Sequence, residues 1–396
     1  MADWQTEAVE DCLVPLSLGA MTKLQSKDYK ASGRYPIIDQ GQSIIAGWTD
    51  DETGVIASNL PVVVFGDHTR ALKYVDFPFV RGADGTQVLK PKSGIDPLYF
   101  YYALRAIDLP SRGYNRHFKE LKQSRIAIAP DNEQREISQV LRLVEGVRSL
   151  QDDVLLTLDR SKRATMRELF TRGLRGEAQK ETEIGLVPES WEVSPFDEAL
   201  QIAQGQVDPK VEPYASMLHI GPENVEPGSG HLLECRTARE LGLISGKYEF
   251  TPGSIVYSKI RPYLNKVVMP AFRGLCSADM YPLKACEGFE ARFLFHYLLS
   301  EFFLRQAVPH QLRTGIPKIN RDQLASTSVP KTSSPEQAEI VAILDAIDRK
   351  IDLHRRKHAV LDELFKALLH KLMNGEISTA DLDLSALAEK GAKVAA

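Results

Sequence analysis

Apolar residues recur at steps of three and four along residues 131–172, and again along residues 334–375. The first row is Ile137, Val140, Leu141, Val144, Val147, Leu150, Val154, Leu155, Leu158, Met166 and Leu169. The second is Ile340, Ile343, Leu344, Ile347, Ile351, Val360, Leu361, Leu364, Leu368 and Leu372. Such spacing keeps one face of a helix apolar for about five heptads, so each row predicts a long helix whose seam packs on another helix. The rows are copies of one another. Setting Glu133 on Glu336 gives an offset of 336 − 133 = 203 residues. Ile137 then falls on Ile340, Leu141 on Leu344, Val144 on Ile347, Leu158 on Leu361 and Leu169 on Leu372. An internal repeat of this length sets the architecture, and two matching seams most simply pair with each other. Asp131 and Ser334 stand where a side chain accepts from the N3 amide, with Gln134 and Gln337 placed to reach back. Pro335 falls at N1, and Gly173 and Gly375 fall where a C′ glycine ends a helix. Residues 131–172 span roughly 60 Å at about 1.5 Å per residue, long for an ordinary core helix.

Before each helix the pattern changes to short strands bounded by turn residues. Tyr35-Pro36-Ile37-Ile38, Val62-Val63-Val64-Phe65 and Thr86-Gln87-Val88-Leu89 are strand candidates, and Asp96-Pro97 caps a short helix running through Leu104. The second half repeats the plan with Ile255-Val256-Tyr257, Met280-Tyr281-Pro282-Leu283 and a short helix over residues 291–298. The chain thus divides into a first head (1–130), a central long helix (131–175), a linker (176–187), a second head (188–333), a C-terminal long helix (334–375) and a flexible tail (376–396). The fold class is α+β, with two mixed α/β heads each followed by a long helix. The helices match in residues as well as plan; the heads match in plan only.

Composition bounds the class. Hydrophobic residues at 43% and charged residues at 26% are those of a soluble globular protein. No apolar run reaches the roughly 20 residues that cross a membrane. Met1-Ala2-Asp3-Trp4 does not start like a signal peptide, so a cytoplasmic protein is expected. Cys12, Cys235, Cys276 and Cys286 are scattered, which suggests neither a zinc site nor a disulfide framework. The formal charge of −4 conceals a segregation. Residues 254–278 hold Lys259, Arg261, Lys266 and Arg273 without an acid, and residues 302–321 hold Arg305, Arg313, Lys318 and Arg321, again without one. Residues 111–125 carry five Lys/Arg and His117 against Glu120 alone. Local positive surfaces of this kind suit polyanions.

No catalytic cluster emerges. Gly242-Leu243-Ile244-Ser245-Gly246-Lys247-Tyr248 has one residue too few between its glycines for a P-loop, and Tyr replaces the hydroxyl. His354 and His358 have a metal-compatible spacing but no third ligand, and sit in a solvated basic run. A G-x-S-x-G elbow and an Asp/Asn-Pro-Pro-aromatic tetrapeptide are both missing. A reader or adaptor suits this chain better than an enzyme does.

Two dissimilar heads, each followed by a similar long helix, resemble the specificity subunit of type I restriction–modification enzymes. The resemblance covers nearly the whole chain. It rests on Pro188-Glu189-Ser190-Trp191, on the run from Gly253 through Lys259-Ile260-Arg261-Pro262, on Ser277-Ala278-Asp279 and on Gly315-Ile316-Pro317-Lys318-Ile319. Above all it rests on the start of each helix, a proline followed by Glu-Gln-x-x-Ile: Pro130 to Ile137, and Ser334-Pro335-Glu336-Gln337-Ala338-Glu339-Ile340, which differ in the spacing of the proline. In the first head Phe65-Gly66-Asp67-His68 has lost the Lys-Ile-Arg-Pro run.

The resemblance implies two target-recognition domains, each reading half of a split asymmetric site in double-stranded DNA. The helices would pair as an antiparallel coiled coil with pseudo-twofold symmetry, set the spacer and dock two methyltransferase subunits. Motor-nuclease subunits would join them, and S-adenosylmethionine, ATP and Mg²⁺ would be bound by those partners and not by this chain. Candidate DNA contacts in the first head are Arg70, Lys73, Arg112, Asn115, Arg116, His117 and Lys119. In the second head they are Lys259, Arg261, Tyr263, Asn265, Lys266, Arg313, Lys318, Asn320 and Arg321. Arg suits guanine and Asn suits adenine, while Lys and Arg on phosphates set register. An ordinary solvated basic turn is the competing reading of the loop from Lys259 to Lys266. Two other functions stay open: a stand-alone bipartite DNA-binding regulator without enzyme partners, and a coiled-coil scaffold that binds no DNA.

Overall fold

The structure is a computed structural model that describes residues 4–16, 24–82, 84–110, 113, 115–311 and 317–383. The long helices are Asp131–Arg172 and Ser334–Met373. The chain forms two compact units, one from the residues up to Asp152 together with those from Arg356 onward, the other Asp153–Arg355. Each unit therefore contains one head, half of one long helix and half of the other.

The first unit holds a four-stranded sheet in the order Gly47–Thr49, Tyr35–Ile38, Phe79–Arg81, Val55–Ile56. A three-stranded sheet has Val62–Gly66 at its centre, between Leu72–Val75 and Thr86–Leu89. Val62 to Gly66 are buried throughout, as the continuous apolar run requires. Asp96 caps the short helix Pro97–Ala106, accepting from the amides of Leu98 (3.0 Å) and Tyr99 (2.8 Å). Gln5–Ala8 pairs antiparallel with Arg125–Ile128, so the head opens and closes on neighbouring strands.

The second unit repeats this scheme. Its central strand Ile255–Ser258 lies between Met280–Ala285 and Val267–Val268, with Leu200–Ile202 at the far edge. A second sheet runs Arg236–Thr237, Leu218–Ile220, Gly274–Cys276, Tyr248–Phe250. Glu192–Pro195 pairs with Ser328–Lys331 to close the head. The segment between the first long helix and this head, expected as a linker, contains a hairpin of Gln179–Thr182 and Gly185–Pro188.

The helices pair antiparallel within each unit. In the first, Ile137, Leu141 and Val144 join Tyr99 and Tyr102 of the head and Phe365, Leu368 and Leu372 of the second helix in one core. In the second, Met166, Leu169 and Phe170 meet Ile340 and Leu344, together with Phe293 and Tyr297 of the head. Leu361 is also buried, whereas Leu158 and Ile347 are half-buried. Five residues of the apolar rows are corrected: Leu150, Val154, Ile343, Val360 and Leu364 are exposed. Two paired helices cover only a narrow stripe of each other, and these positions fall outside it. Polar pairs replace the apolar seam there: Arg148 with Asp362 (2.5 Å) and His358 with Asp152 (2.9 Å) in the first unit, Lys162 with Asp348 (2.5 Å) in the second. His358 lies between Asp152 and Asp362 and is a polar partner within the helix pair.

Gly173 and Gly375 end the helices with φ of 63° and 62°, as C′ glycines do. The helix starts differ from expectation by one residue. The first intrahelical bonds run from the Gln134 amide to Pro130 (2.9 Å) and from the Gln337 amide to Ser333 (3.0 Å), which puts Asp131 and Ser334 inside the first turn. Gln134 and Gln337 are buried, and their amides bind the heads instead of closing a capping box.

Candidate nucleic-acid interface

In the second unit the buried strand Ile255–Ser258 emerges from the core at Lys259, turns through Pro262–Leu264 and returns as Val267–Val268. Two residues of this turn, Arg261 and Asn265, have left-handed backbones, with φ of 48° and 44°. Non-glycine residues in that region are held there by their surroundings, a situation that clusters at functional loops. A second basic segment lies alongside. The Arg261 amide donates to the Pro317 carbonyl (2.7 Å), the Ile319 amide donates to the Lys259 carbonyl (2.9 Å), and Ile260 bridges Lys318. Two acid-free stretches distant in sequence thus form one edge.

Side chains on that edge divide by environment. Arg261, Tyr263 and Lys318 face solvent, Tyr263 at 49% exposure. The others are held by the fold. Lys259 donates to Ala278 O (2.6 Å), pairs with Asp279 (3.6 Å) and lies over the Tyr281 ring. Lys266 donates to Pro222 O (2.6 Å). Asn265 is buried and donates to Leu299 O (3.1 Å). Asn320 caps the helix Arg321–Ala325. Arg321 donates to Ala203 O (2.7 Å) and lies over Tyr281 and Tyr248. Burial raises the Tyr281 hydroxyl pKa against the pull of Arg321. Arg313 lies outside the described residues.

The first head builds the same joint with an acid. Its strand Val62–Gly66 runs into Asp67, which is buried where the second head has Lys259. The Asp67 carbonyl accepts from the His117 amide (3.0 Å) and its carboxylate from the Phe118 amide (2.8 Å), with Arg116 3.9 Å away. This acid was invisible as a site residue in the sequence; its only signal was the loss of the lysine there. Arg116 is 76% exposed on its side chain, and Asn115 and Lys119 are exposed too. Arg70, at φ 61°, is exposed but spends its guanidinium on Leu109 O (2.6 Å). Two expectations are corrected. His117 is buried against the Asp67 carbonyl, Nδ1 at 3.1 Å. Lys73 is buried too, donating to Asp39 O (2.8 Å); burial lowers its pKa against the pull of Asp39. Buried groups that already have partners cannot reach a polyanion. Arg112 lies outside the described residues.

Among the described residues one group has metal-ligand geometry: His296, Asp345 and Asp348. Arg292 is 2.7 Å from Asp345 and Lys162 is 2.5 Å from Asp348, so both carboxylates are already neutralised by cations. Burial works to raise the Asp345 pKa, but hydrogen bonds from His296 and Arg292 outweigh it and hold the group at about 2. The cluster is a polar joint between the second head and the two helices of its unit.

Comparison with known proteins agrees with this layout. Residues 188–363 match the family described as the type I restriction modification DNA specificity domain. The chain is 28% identical to the type I restriction enzyme EcoDI specificity subunit of Escherichia coli over 95% of this chain and 89% of that one. Its fold is similar to the crystal structure of a type I restriction-modification S subunit from M. genitalium, with a TM-score of 0.61 at 14% identity, covering 94% of this chain and 96% of that one. It is also similar to a chain from a study of complex assembly and conformational transition of the type I R-M system, with a TM-score of 0.50 at 14% identity, covering 94% and 98%. In its repeat, its heads and its helix pairing, the chain is similar to the specificity subunits of type I restriction–modification enzymes.

Proposed function

We infer that this chain is the DNA-recognition subunit of a type I restriction–modification complex, with each head reading one half of a bipartite asymmetric site. The observation that carries this is the edge on which Arg261, Tyr263 and Lys318 stand free, inside the region that matches the DNA specificity domain family. Cations without an internal partner are available to phosphate and base edges, and an exposed aromatic ring adds contact area. The first head offers Asn115, Arg116 and Lys119 at the equivalent joint. The helix pair sets the spacer between half-sites and docks two methyltransferase subunits, and motor-nuclease subunits complete the assembly. The chain supplies recognition only. S-adenosylmethionine, ATP and Mg²⁺ belong to the partners, and the complex works in the cytoplasm. The test is purification of the full chain from its host together with mapping of methylated adenines with and without its gene. A methyltransferase should co-purify, and adenine methylation at one split motif should vanish with the gene. A chain that purifies alone, binds DNA alone and leaves methylation unchanged is a stand-alone regulator.

A further inference from the structure

Gln134 and Gln337 occupy equivalent places in the two long helices and make the same three hydrogen bonds. The Gln134 side-chain oxygen accepts from the Asp96 amide (2.7 Å), and its nitrogen donates to Gly94 O (3.1 Å) and Ala129 O (2.8 Å). The Gln337 oxygen accepts from the Glu290 amide (2.8 Å), and its nitrogen donates to Gly288 O (3.0 Å) and Thr332 O (2.8 Å). Both are almost fully buried, at 1% and 0% exposure. Each amide therefore holds three segments at one point: the loop before the short helix of the head, the residue on which the chain leaves the head, and the start of the long helix. The heads around these glutamines share few residues, yet corresponding bonds differ by only 0.1 Å or less. A second tie lies further along each helix. Glu145 accepts from the Tyr102 hydroxyl (2.9 Å), and Asp345 from Arg292 (2.7 Å).

We propose that Gln134 and Gln337 are positioning residues that fix the angle of each head on its own helix and so the presentation of one half-site. The proposal rests on the recognition reading above. A methionine there keeps the volume but leaves a backbone amide and two carbonyls without this partner, which loosens the joint without emptying the core. The head keeps its own sheets, closed by paired first and last strands, so its fold does not depend on the glutamine.

The test uses the assembled methyltransferase with the full chain, wild-type or carrying Gln134→Met or Gln337→Met. Duplexes carry single-base changes in either half-site, or spacers altered by one base pair. Gln337→Met should cut the penalty for substitutions in the second half-site about ten-fold and widen spacer tolerance, with first-half discrimination unchanged. Gln134→Met should do the reverse. Equal loss at both half-sites with base preferences intact overturns the proposal, because that is the signature of lower stability alone. Unchanged discrimination in a folded, assembled variant also overturns it. If a methionine variant does not assemble, Gln337→Glu takes its place, since it keeps an acceptor for the Glu290 amide. A wild-type complex without bipartite preference sinks the recognition reading itself, a result distinct from failure of the glutamine role.

Discussion

Arg261 and Lys318 stand in solvent on adjoining backbone segments, whereas Arg321, three residues further on, is closed over by Tyr248 and Tyr281. Their substitutions should separate accordingly. Lys318→Ala should weaken all DNA sequences about equally and lower the salt slope by about one unit, because each phosphate contact releases condensed counterions. Arg261→Ala should cost about 1–3 kcal/mol and relax one position of the second half-site. Binding of the assembled complex to specific and scrambled duplexes across a salt series reads both. Unchanged slope and affinity in both variants would place this edge away from DNA. A different residue adds a pH dependence to stability. His219 is buried with no hydrogen-bond partner at either ring nitrogen, and burial, reinforced by Lys247, holds its pKa at about 4 against the usual 6.5. Between those values the unfolded chain takes up a proton that the folded chain does not. Stability therefore falls as pH drops through that window, by about 3 kcal/mol when complete. Thermal melts from pH 7 to pH 4 should show a flatter decline for His219→Leu than for the parent; identical slopes would mean that His219 is not the sensor.

The long helices are stabilised unevenly along their length. Near its start each is covered by its own head and by the end of the other helix, and further along only a narrow stripe is covered. Leu344 is fully buried, while Val360 is 68% exposed. Leu344→Ala should cost about 2–5 kcal/mol, and Leu344→Asp more, through burial of an unpaired charge. Val360→Asp should be close to neutral. Melting temperatures of the three variants decide the matter, and a soluble, fully stable Leu344→Asp protein would contradict the packing described here. Breaking the Lys162–Asp348 pair belongs to the same scale, because the lysine side chain is only 9% exposed and its loss leaves Asp348 with the more distant Arg292, at 3.7 Å, as its cation.

At the scale of the molecule, each head starts and finishes on one pair of neighbouring strands, which makes it a module. Exchange of residues 188–330 for another second head should alter one half-site in a methylation map and leave the other intact. Simultaneous change in both would end the modular reading. The structure adds a condition to the exchange. The Trp191 indole donates to Glu336 (3.1 Å), and Gln337 holds Gly288 and Glu290. A donor head that lacks this tryptophan or that loop geometry should assemble poorly, however well it folds.

Local periodicity made the helices legible without a structure. The apolar rows, the C′ glycines and the Asp96 cap depend on neighbours within a few residues, and they placed Asp131–Arg172 and the short helix Pro97–Ala106. The repeat, visible as a fixed offset, likewise announced two heads on paired helices. Which cations stand free was not legible, because whether Lys or Arg is available depends on carbonyls far along the chain. Lys266 is taken by Pro222, Asn265 by Leu299, Arg321 by Ala203 and Lys73 by Asp39. The same holds for Gln134 and Gln337, which local pattern assigns to capping and tertiary structure assigns to the heads, since their partners Asp96 and Glu290 lie 38 and 47 residues away. Sequence determined the frame because helix period is a short-range property of the chain. Only the folded molecule could choose among the polar side chains, because burial and hydrogen-bond partnership are long-range.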